Sequence, residues 1–209
     1  MTLQRPLLRS CASVFIASLA FVNIASASAQ QSGEVAPKVL DQPLTAEQLA
    51  VYRTMLASWF QGEKARVNLS GFTDPNDSIG ASLDKGCLKG LSLEAVSLGL
   101  VHRIRPEDLT QLGPFEFHLV DPKAGKKEVS DNDPGKAIRK GNPVDEAVEN
   151  GFAHGLLTLG EIQFDKTHTH ALVSFSFVCG RLCGNGTTIL LERKDGTWRK
   201  QAECGGWVS

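Results

Sequence analysis

The clearest hydrophobic pattern lies in the C-terminal third of the chain, where apolar and polar residues alternate through successive short segments. Residues 171–179 place five apolar side chains on one face and serines on the other. Residues 160–165, 187–194 and 197–209 alternate in the same way, and Lys194-Asp195-Gly196 is typical of a hairpin turn. Consecutive amphipathic strands joined by short turns predict an antiparallel meander.

Two helices are predicted ahead of this meander. In residues 44–62, Thr45 and Gln48 fit a capping box, and an apolar stripe repeats at helical spacing up to a closing Gly62. The second helix opens at Pro143 and carries its own stripe. That stripe comprises Val144, Ala147, Val148, Gly151, Phe152 and Leu156. Both helices are expected to cover the apolar face of the sheet.

The middle of the chain gives weaker signals. Residues 67–73 and 115–121 predict strands, while residues 96–104 fit either a strand or a short helix. Residues 106–113 predict one or two helical turns between a proline and a glycine. Residues 121–142 are polar, charged and rich in turn formers, which predicts a long solvated loop.

These elements predict an α+β fold with an antiparallel meander of four C-terminal strands and one or two earlier strands. Residues 44–209 are expected to form a single domain. Residues 30–43 are polar, contain two prolines and are predicted to be a linker.

The first 29 residues have the three parts of a secretory signal peptide. Arg5 and Arg9 precede an apolar run, and Ala27-Ser28-Ala29 is a typical cleavage pattern. The apolar run is shorter than the about 20 residues that a membrane span needs. The chain is therefore predicted to be exported to the periplasm or the extracellular space, with no transmembrane span after cleavage.

The charge balance argues against nucleic acid as a partner. The chain has 22 basic and 23 acidic residues, and the predicted signal peptide removes two arginines and no acid. The mature protein would therefore lack the basic excess that phosphate backbones require. No motif predicts a cofactor or a metal site, and the partners that remain are an envelope protein or a small ligand.

The stretch FVCGRLCGNGTT, residues 177–188, suggests four kinds of site. A redox dithiol needs the Cys-x-x-Cys spacing, but the spacing here is Cys-x-x-x-Cys. A phosphate loop needs a lysine after the glycines and a following helix, but here no lysine follows and the next predicted element is a strand. A zinc knuckle is disfavoured because thiols of exported proteins are usually oxidised. The favoured interpretation is an irregular loop closed by a disulfide, in which Gly180, Gly184 and Gly186 adopt positive φ angles.

Four cysteines remain after signal cleavage, and an even number in an exported chain favours disulfides. Cys179 and Cys204 are predicted to lie on apolar strand faces, the latter together with Trp198 and Ala202. Strands on either side of a third lie about 9–10 Å apart, which disfavours a Cys179–Cys204 bridge. The favoured pairs are Cys179–Cys183 and Cys87–Cys204, although the sequence leaves the other pairings open.

Other candidate sites are weaker. Asp165, His168 and His170 form a polar cluster that could bind a metal, but a surface turn is the simpler interpretation. His102, His118 and His154 are isolated along the sequence and are interpreted as surface or hydrogen-bonded core histidines. No residue is assigned a catalytic role.

The last fifty residues resemble a family of exported bacterial proteins of unknown function, which share an FVCG-x-LCG-x-G loop, a Gly-x-Trp strand and a CGGWVS end. The resemblance implies a bacterial exported protein and carries over no catalytic residue. A looser likeness connects the predicted helix and curved sheet with cystatin-like and nuclear-transport-factor-like folds. Such folds often contain a pocket between helix and sheet, but a fold does not determine a function.

Two functional hypotheses follow. One is a non-enzymatic binding or envelope-interaction module, which the absence of a catalytic motif favours. The other is a small hydrolase or lyase with its site in a pocket between helix and sheet. Two acids, or an acid and a histidine, inside one deep pocket would favour the enzyme.

Overall fold

A computed structural model describes residues 37–60, 66–75, 83–84, 86–94, 99–113 and 115–209, which fall within one unit, Val35–Ser209. The predicted signal peptide and the predicted helix end at Gly62 lie outside the described residues. The strands are β1 (Lys38–Leu40), β2 (Arg66–Ser70), β3 (Leu100–His102), β4 (Glu116–Val120), β5 (Leu156–Leu159), β6 (Gln163–Phe164), β7 (His170–Gly180), β8 (Cys183–Lys194) and β9 (Thr197–Val208). The helices are α1 (Ala46–Phe60), α2 (Pro106–Leu109), α3 (Pro122–Asp131), α4 (Pro134–Arg139) and α5 (Val144–Ala153).

Seven strands form one mixed sheet in the order β4-β2-β5-β7-β8-β9, with β6 paired to β7. The meander β7-β8-β9 is antiparallel, as predicted, whereas β2 runs parallel to both β4 and β5. A second, two-stranded sheet joins β1 to β3 in parallel. The α+β class is confirmed, and the parallel pairs are an addition that the local sequence pattern does not predict.

Helix α1 covers one face of the large sheet, which we call the near face. Its capping box is confirmed, because Thr45 N donates to Gln48 Oε1 at 2.8 Å and Gln48 N donates to Thr45 Oγ1 at 3.2 Å. The alternating apolar side chains of β7 point to this face and join the main core, as predicted; they are Ala171, Val173, Phe175, Phe177 and Cys179. Met55 and Leu56 of α1 are fully buried against them. Leu172 and Val178 point to the opposite face.

Residues 121–142 correct the sequence prediction, since they form two helices rather than a solvated loop. Asp121 caps α3 by accepting hydrogen bonds from the N–H groups of Lys123 and Ala124. Asp133 caps α4 through Gly135 N at 2.8 Å and also accepts from Arg181 N at 3.3 Å. The Asp-Pro pairs that resemble turns are therefore helix starts, with proline in the first helical turn.

The second predicted helix is present as α5, but its apolar stripe does not cover the sheet. Val144 and Phe152 remain 58 % and 56 % exposed, while Ala147 and Gly151 are buried. A Cβ at position 151 would lie 2.4 Å from Pro134 Cγ, so the glycine permits close contact with α4. Leu156, the last residue of the predicted stripe, belongs instead to β5.

Strand β9 also departs from the prediction, because Trp198 points to the near face while Ala202 and Cys204 point to the opposite one. Leu191 pairs with Lys200 and Leu190 with Ala202, so one extra residue at position 201 forms a bulge. Each extra residue reverses the alternation of side chains that follow it. The two-residue turn before β9 is confirmed, with Asp195 and Gly196 at φ 51° and 76°.

The opposite face of the large sheet, which we call the far face, is covered in two places. Helix α3 packs on β2, β5 and β7 at one end. At the other end, Leu172, Leu190 and Cys204 form a second apolar cluster with residues from the 83–93 segment. The Cys87–Cys204 disulfide ties that segment to β9.

The fold starts earlier than the predicted domain boundary at Leu44. Strand β1 lies inside the predicted linker and pairs Lys38 with Leu100. A three-residue strand is too short to show a hydrophobic period, which explains why the sequence does not predict it. In the described part of the chain, no helix combines the length and the apolar character needed to cross a membrane.

Candidate functional site

A cleft of about 650 Å³ opens between the far face and α3, with β1 and β3 at its side. We call it the α3 cleft. Its walls are mainly apolar and include Val39, Phe72, Val101, Val129, Leu156 and Val178. Ser70, Thr73, Asp74, Thr158 and Ser176 add polar groups, and Asp121, Lys123 and Lys126 add charged ones. This combination of size and lining is typical of small-molecule sites, which occupy about 300–1,000 Å³.

One carboxylate in the α3 cleft is electrostatically unusual. Asp74 is open to solvent on one side, but the surrounding protein removes part of its hydration and raises the pKa of its carboxyl. The ammonium of Lys126 on α3 opposes this increase and lowers the pKa by a smaller amount. Asp121, the other acid in the lining, already accepts two backbone N–H bonds as the cap of α3. Asp74 is therefore the acid in this lining best able to meet a ligand.

Thr73 connects the α3 cleft to a polar cluster behind its wall. Its hydroxyl donates to Glu161 Oε1, and it accepts from His102 N at 2.7 Å. His102 N also donates to Glu161 Oε1 at 2.8 Å, and His102 Nδ1 lies 2.8 Å from Glu161 Oε2. Because a carboxylate only accepts, Nδ1 carries the proton in this contact. Glu161 is 6 % exposed and joins β3 to the segment after β5.

Tyr52 of α1 approaches the same cluster from the near face. Its fully buried hydroxyl donates to Gly160 O at 2.9 Å. Burial raises the pKa of this phenol well above its ordinary value, and the negative charge of Glu161 raises it further. The folded protein therefore holds Tyr52 in the neutral form.

The buried phenol predicts a loss of stability at alkaline pH. Tyr52 ionises near pH 10 in the unfolded chain but remains neutral at that pH in the folded chain. The free energy of unfolding is therefore unaffected by this group below about pH 10. It then falls by about 1.4 kcal/mol per pH unit as the pH rises towards the folded pKa. Tyr52 is the single tyrosine of the chain, so ultraviolet absorbance of tyrosinate reports on it alone.

We expect tyrosinate to appear together with the loss of near-ultraviolet circular dichroism, in one cooperative transition. The control is Tyr52→Phe, which should flatten this alkaline slope while losing about 1 kcal/mol at neutral pH from the missing hydrogen bond. Reversible ionisation near pH 10 with the tertiary signal intact would contradict the prediction.

The cluster of Asp165, His168 and His170 that the sequence predicts is only partly assembled. Asp165 is 8 % exposed and closes the turn before β7, where its carboxylate accepts from the N–H groups of Thr169 and His170, each at 2.8 Å. Burial opposes its ionisation, but hydrogen bonds from Thr167 and from these N–H groups outweigh burial and hold its pKa below the usual range. His170 Nδ1 lies 3.4 Å from Asp165 Oδ2, whereas His168 turns away to Glu47 at 2.9 Å.

The metal interpretation of this turn gains no support from the geometry. Among the described residues, no group of three or more potential ligands could hold an ion. The hydrogen bonds made by Asp165 point into its own turn, which is typical of a structural role.

The stretch around residues 177–188 is a two-residue hairpin turn rather than an irregular loop, because β7 extends to Gly180 and β8 begins at Cys183. The structure pairs Cys179 with Cys183 and Cys87 with Cys204, the pairs that the sequence favours. Positive φ angles occur at other glycines, and not at Gly180, Gly184 or Gly186. Their role is close packing, since a Cβ at Gly180 would lie 2.7 Å from Pro134 Cδ.

A second apolar surface surrounds this hairpin. Ile138, Val148, Phe152, Leu182 and Val208 are all partly or largely exposed there. We call this surface the hairpin patch. Its described lining residues include no acidic or basic side chain, and the polar side chains among them are those of Asn185 and Ser209.

Sequence reasoning did not identify the residues of the α3 cleft. Asp74 sits in a turn-like segment, and Lys126 and Val129 sit in the predicted solvated loop. The Asp121-Pro122 pair, which starts α3, is the one sequence feature that would have placed Lys126 and Val129 on a helix.

Comparisons with known proteins add no identification, because no family model, no curated protein and no solved structure matches the chain.

Proposed function

We propose that the protein is an exported binding module that holds an apolar or amphiphilic small molecule in the α3 cleft. The observation that carries this proposal is the cleft itself, about 650 Å³ of mainly apolar space with a few polar groups at one side. Such a lining stabilises a ligand by burying its apolar surface, and the polar groups orient it. Binding of this kind requires no catalytic residues.

Export is part of the proposal and rests on two features. The first 29 residues match the pattern of a secretory signal peptide. Two disulfides join the four other cysteines, which is typical of proteins that fold in an oxidising compartment. The resemblance to exported bacterial proteins agrees with both.

The test uses the neutral fluorescent probe N-phenyl-1-naphthylamine with the mature protein and its disulfides intact. We expect a saturable increase in fluorescence with one site per chain. Val178→Phe fills the α3 cleft with additional side-chain volume, and it should weaken binding by about tenfold or more because a close-packed wall leaves no room for the probe.

The matched control is Val144→Phe, the same change at a residue that is 58 % exposed on α5 and outside the cleft. It should leave probe affinity unchanged. Loss of binding in Phe152→Ser, with no effect of Val178→Phe, would place the probe on the hairpin patch and contradict the proposal. Absence of saturable binding would contradict it as well.

The raised pKa of Asp74 favours a second candidate, a small hydrolase or lyase that uses this carboxyl as a general acid or base. Glu161 and His102 form an acid–histidine pair behind Thr73 of the cleft wall, hydrogen-bond directly to each other and do not line the cleft. Conversion of a bound ligand by the wild type, lost in Asp74→Asn, would favour the enzyme. Recovery of the ligand unchanged favours the binding module.

A further inference from the structure

We infer that the α3 cleft continues across the far face into a saccharide subsite, so that the bound molecule carries a sugar ring at its polar end. This inference rests on the proposed function and specifies the chemical class of its ligand. The subsite is a groove of about 220 Å³ that shares Asp74, Thr158 and Ser176 with the cleft.

The strand register builds the floor of the groove. Thr158 of β5 pairs with Ser176 of β7, Ser176 pairs with Gly186 of β8, and Gly186 pairs with Trp207 of β9. In the adjacent row, Ser174 pairs with Thr188. Since alternate residues of a strand share a face, the hydroxyls of Thr158, Ser174, Ser176 and Thr188 form one group, which we call the hydroxyl band.

The hydroxyl band lies between the two covered parts of the far face, with Leu156 and Val178 before it and Leu172 and Leu190 after it. Thr188 is only 9 % exposed, so the band forms a recess rather than a convex surface.

The hydroxyls of the band are available to a ligand. The hydroxyl of Thr187, which lies on the near face of β8, donates to Gly205 O at 3.0 Å. In the described part of the chain, by contrast, no protein group hydrogen-bonds to the four hydroxyls of the band. Each hydroxyl can both donate and accept, which matches the mixed donors and acceptors of a sugar.

Trp207 supplies an aromatic surface at the end of the band. Its indole lies over two glycines, because a Cβ at Gly186 would lie 2.4 Å from Trp207 Nε1 and one at Gly184 would lie 3.3 Å from the ring. The side chain remains 45 % exposed and lines the groove. An indole presents an apolar face beside a polar N–H, and the C–H face of a sugar ring packs on such a surface.

The charges of the groove disfavour an anionic headgroup. The described groove lining contains no lysine or arginine, whereas Lys123 and Lys126 line the adjoining α3 cleft. Within the groove, Asp74 would repel a phosphate, sulfate or carboxylate. A neutral, polyhydroxylated group can use Asp74 as a hydrogen-bond acceptor instead. The apolar cleft on the other side of Asp74 then accommodates a hydrocarbon chain.

The test compares eight-carbon ligands that differ in the headgroup alone, at concentrations below micelle formation. Octyl β-glucoside, octanol, octyl sulfate and octylammonium are titrated against bound N-phenyl-1-naphthylamine. We expect octyl glucoside to bind about tenfold more tightly than octanol, since several hydrogen bonds and one stacking contact are added. Trp207→Ala and Thr188→Val should each remove most of that advantage while leaving octanol unchanged.

Matched controls separate the groove from general effects. Thr197→Val removes an exposed hydroxyl at the start of β9, outside the groove and the α3 cleft, and Phe152→Ala removes an exposed aromatic ring from the hairpin patch. Neither should change the preference for octyl glucoside, and Trp207→Phe should retain part of it. Methyl β-glucoside separates the sources, because affinity equal to that of octyl glucoside identifies a free saccharide rather than a glycolipid.

Equal binding of octyl glucoside and octanol by the wild type would overturn the saccharide subsite and leave the proposed function standing. Tightest binding of octylammonium, lost in Asp74→Asn, would overturn it in favour of a cationic headgroup. Failure of every eight-carbon ligand and of the probe would reject the proposed function itself.

Discussion

Removal of the Cys87–Cys204 disulfide by a double alanine substitution is expected to lower the free energy of unfolding by about 4–5 kcal/mol. The bridge joins residues 117 positions apart, and a loop of this length restricts the unfolded chain strongly. Cys204 is also fully buried in the second apolar cluster, so the bridge holds the 83–93 segment on the far face. Urea unfolding monitored by tryptophan fluorescence measures the loss.

The Cys179–Cys183 bridge provides the matched comparison, because it spans four positions within one hairpin. The same double substitution there should cost about 2 kcal/mol. In the variant without the Cys87–Cys204 bridge, trypsin should also cleave faster after the exposed Lys89, which lies in the released segment. Equal losses for the two bridges would show that local strain or packing, rather than loop entropy, determines the effect.

Glu161→Ala is expected to destabilise the fold by about 3–4 kcal/mol, the second-largest effect. The carboxylate accepts from the hydroxyl of Thr73 and from both N–H groups of His102, and it is nearly inaccessible to solvent. Its removal leaves these buried donors without their acceptor. Because Thr73 also lines the α3 cleft, probe affinity should fall with stability.

Glu161→Gln tests whether the negative charge matters. The amide oxygen keeps one acceptor, so we expect a smaller loss of about 1–2 kcal/mol. Glu203→Ala removes an acid that is exposed and pairs with Lys200 on the surface, and it should cost less than about 0.5 kcal/mol. A similar loss for Glu161→Ala and Glu203→Ala would mean that the cluster contributes little to stability.

The local pattern predicted those parts of the fold that depend on residues close together in the sequence. The capping box of Thr45 and Gln48 lies within one helical turn, and the alternation of residues 171–179 lies within one strand. For the cap and the strand, a short-range rule was sufficient. Strand geometry also disfavoured a Cys179–Cys204 bridge, since β7 and β9 lie on either side of β8, but the sequence left the other pairings open.

The candidate site was not predictable in the same way. Asp74 and Lys126 are 52 positions apart in the sequence and come together only because α3 packs on the far face. The hydroxyl band depends on the register of three strands, and Trp207 reaches its place after two register shifts in β9. The sequence position of a charged or hydroxyl side chain does not show which distant residues will lie beside it in the fold.

The sequence by itself determined the α+β class, the start of α1, the near-face residues of β7 and the Asp195-Gly196 turn. It did so because helical and strand periods, caps and tight turns are local properties of the chain. The tertiary structure alone decided the parallel pairs of β2, the bulges of β9 and the packing role of Gly184 and Gly186. It also decided the α3 cleft, because a cavity exists only between elements whose separation and register are set by long-range packing.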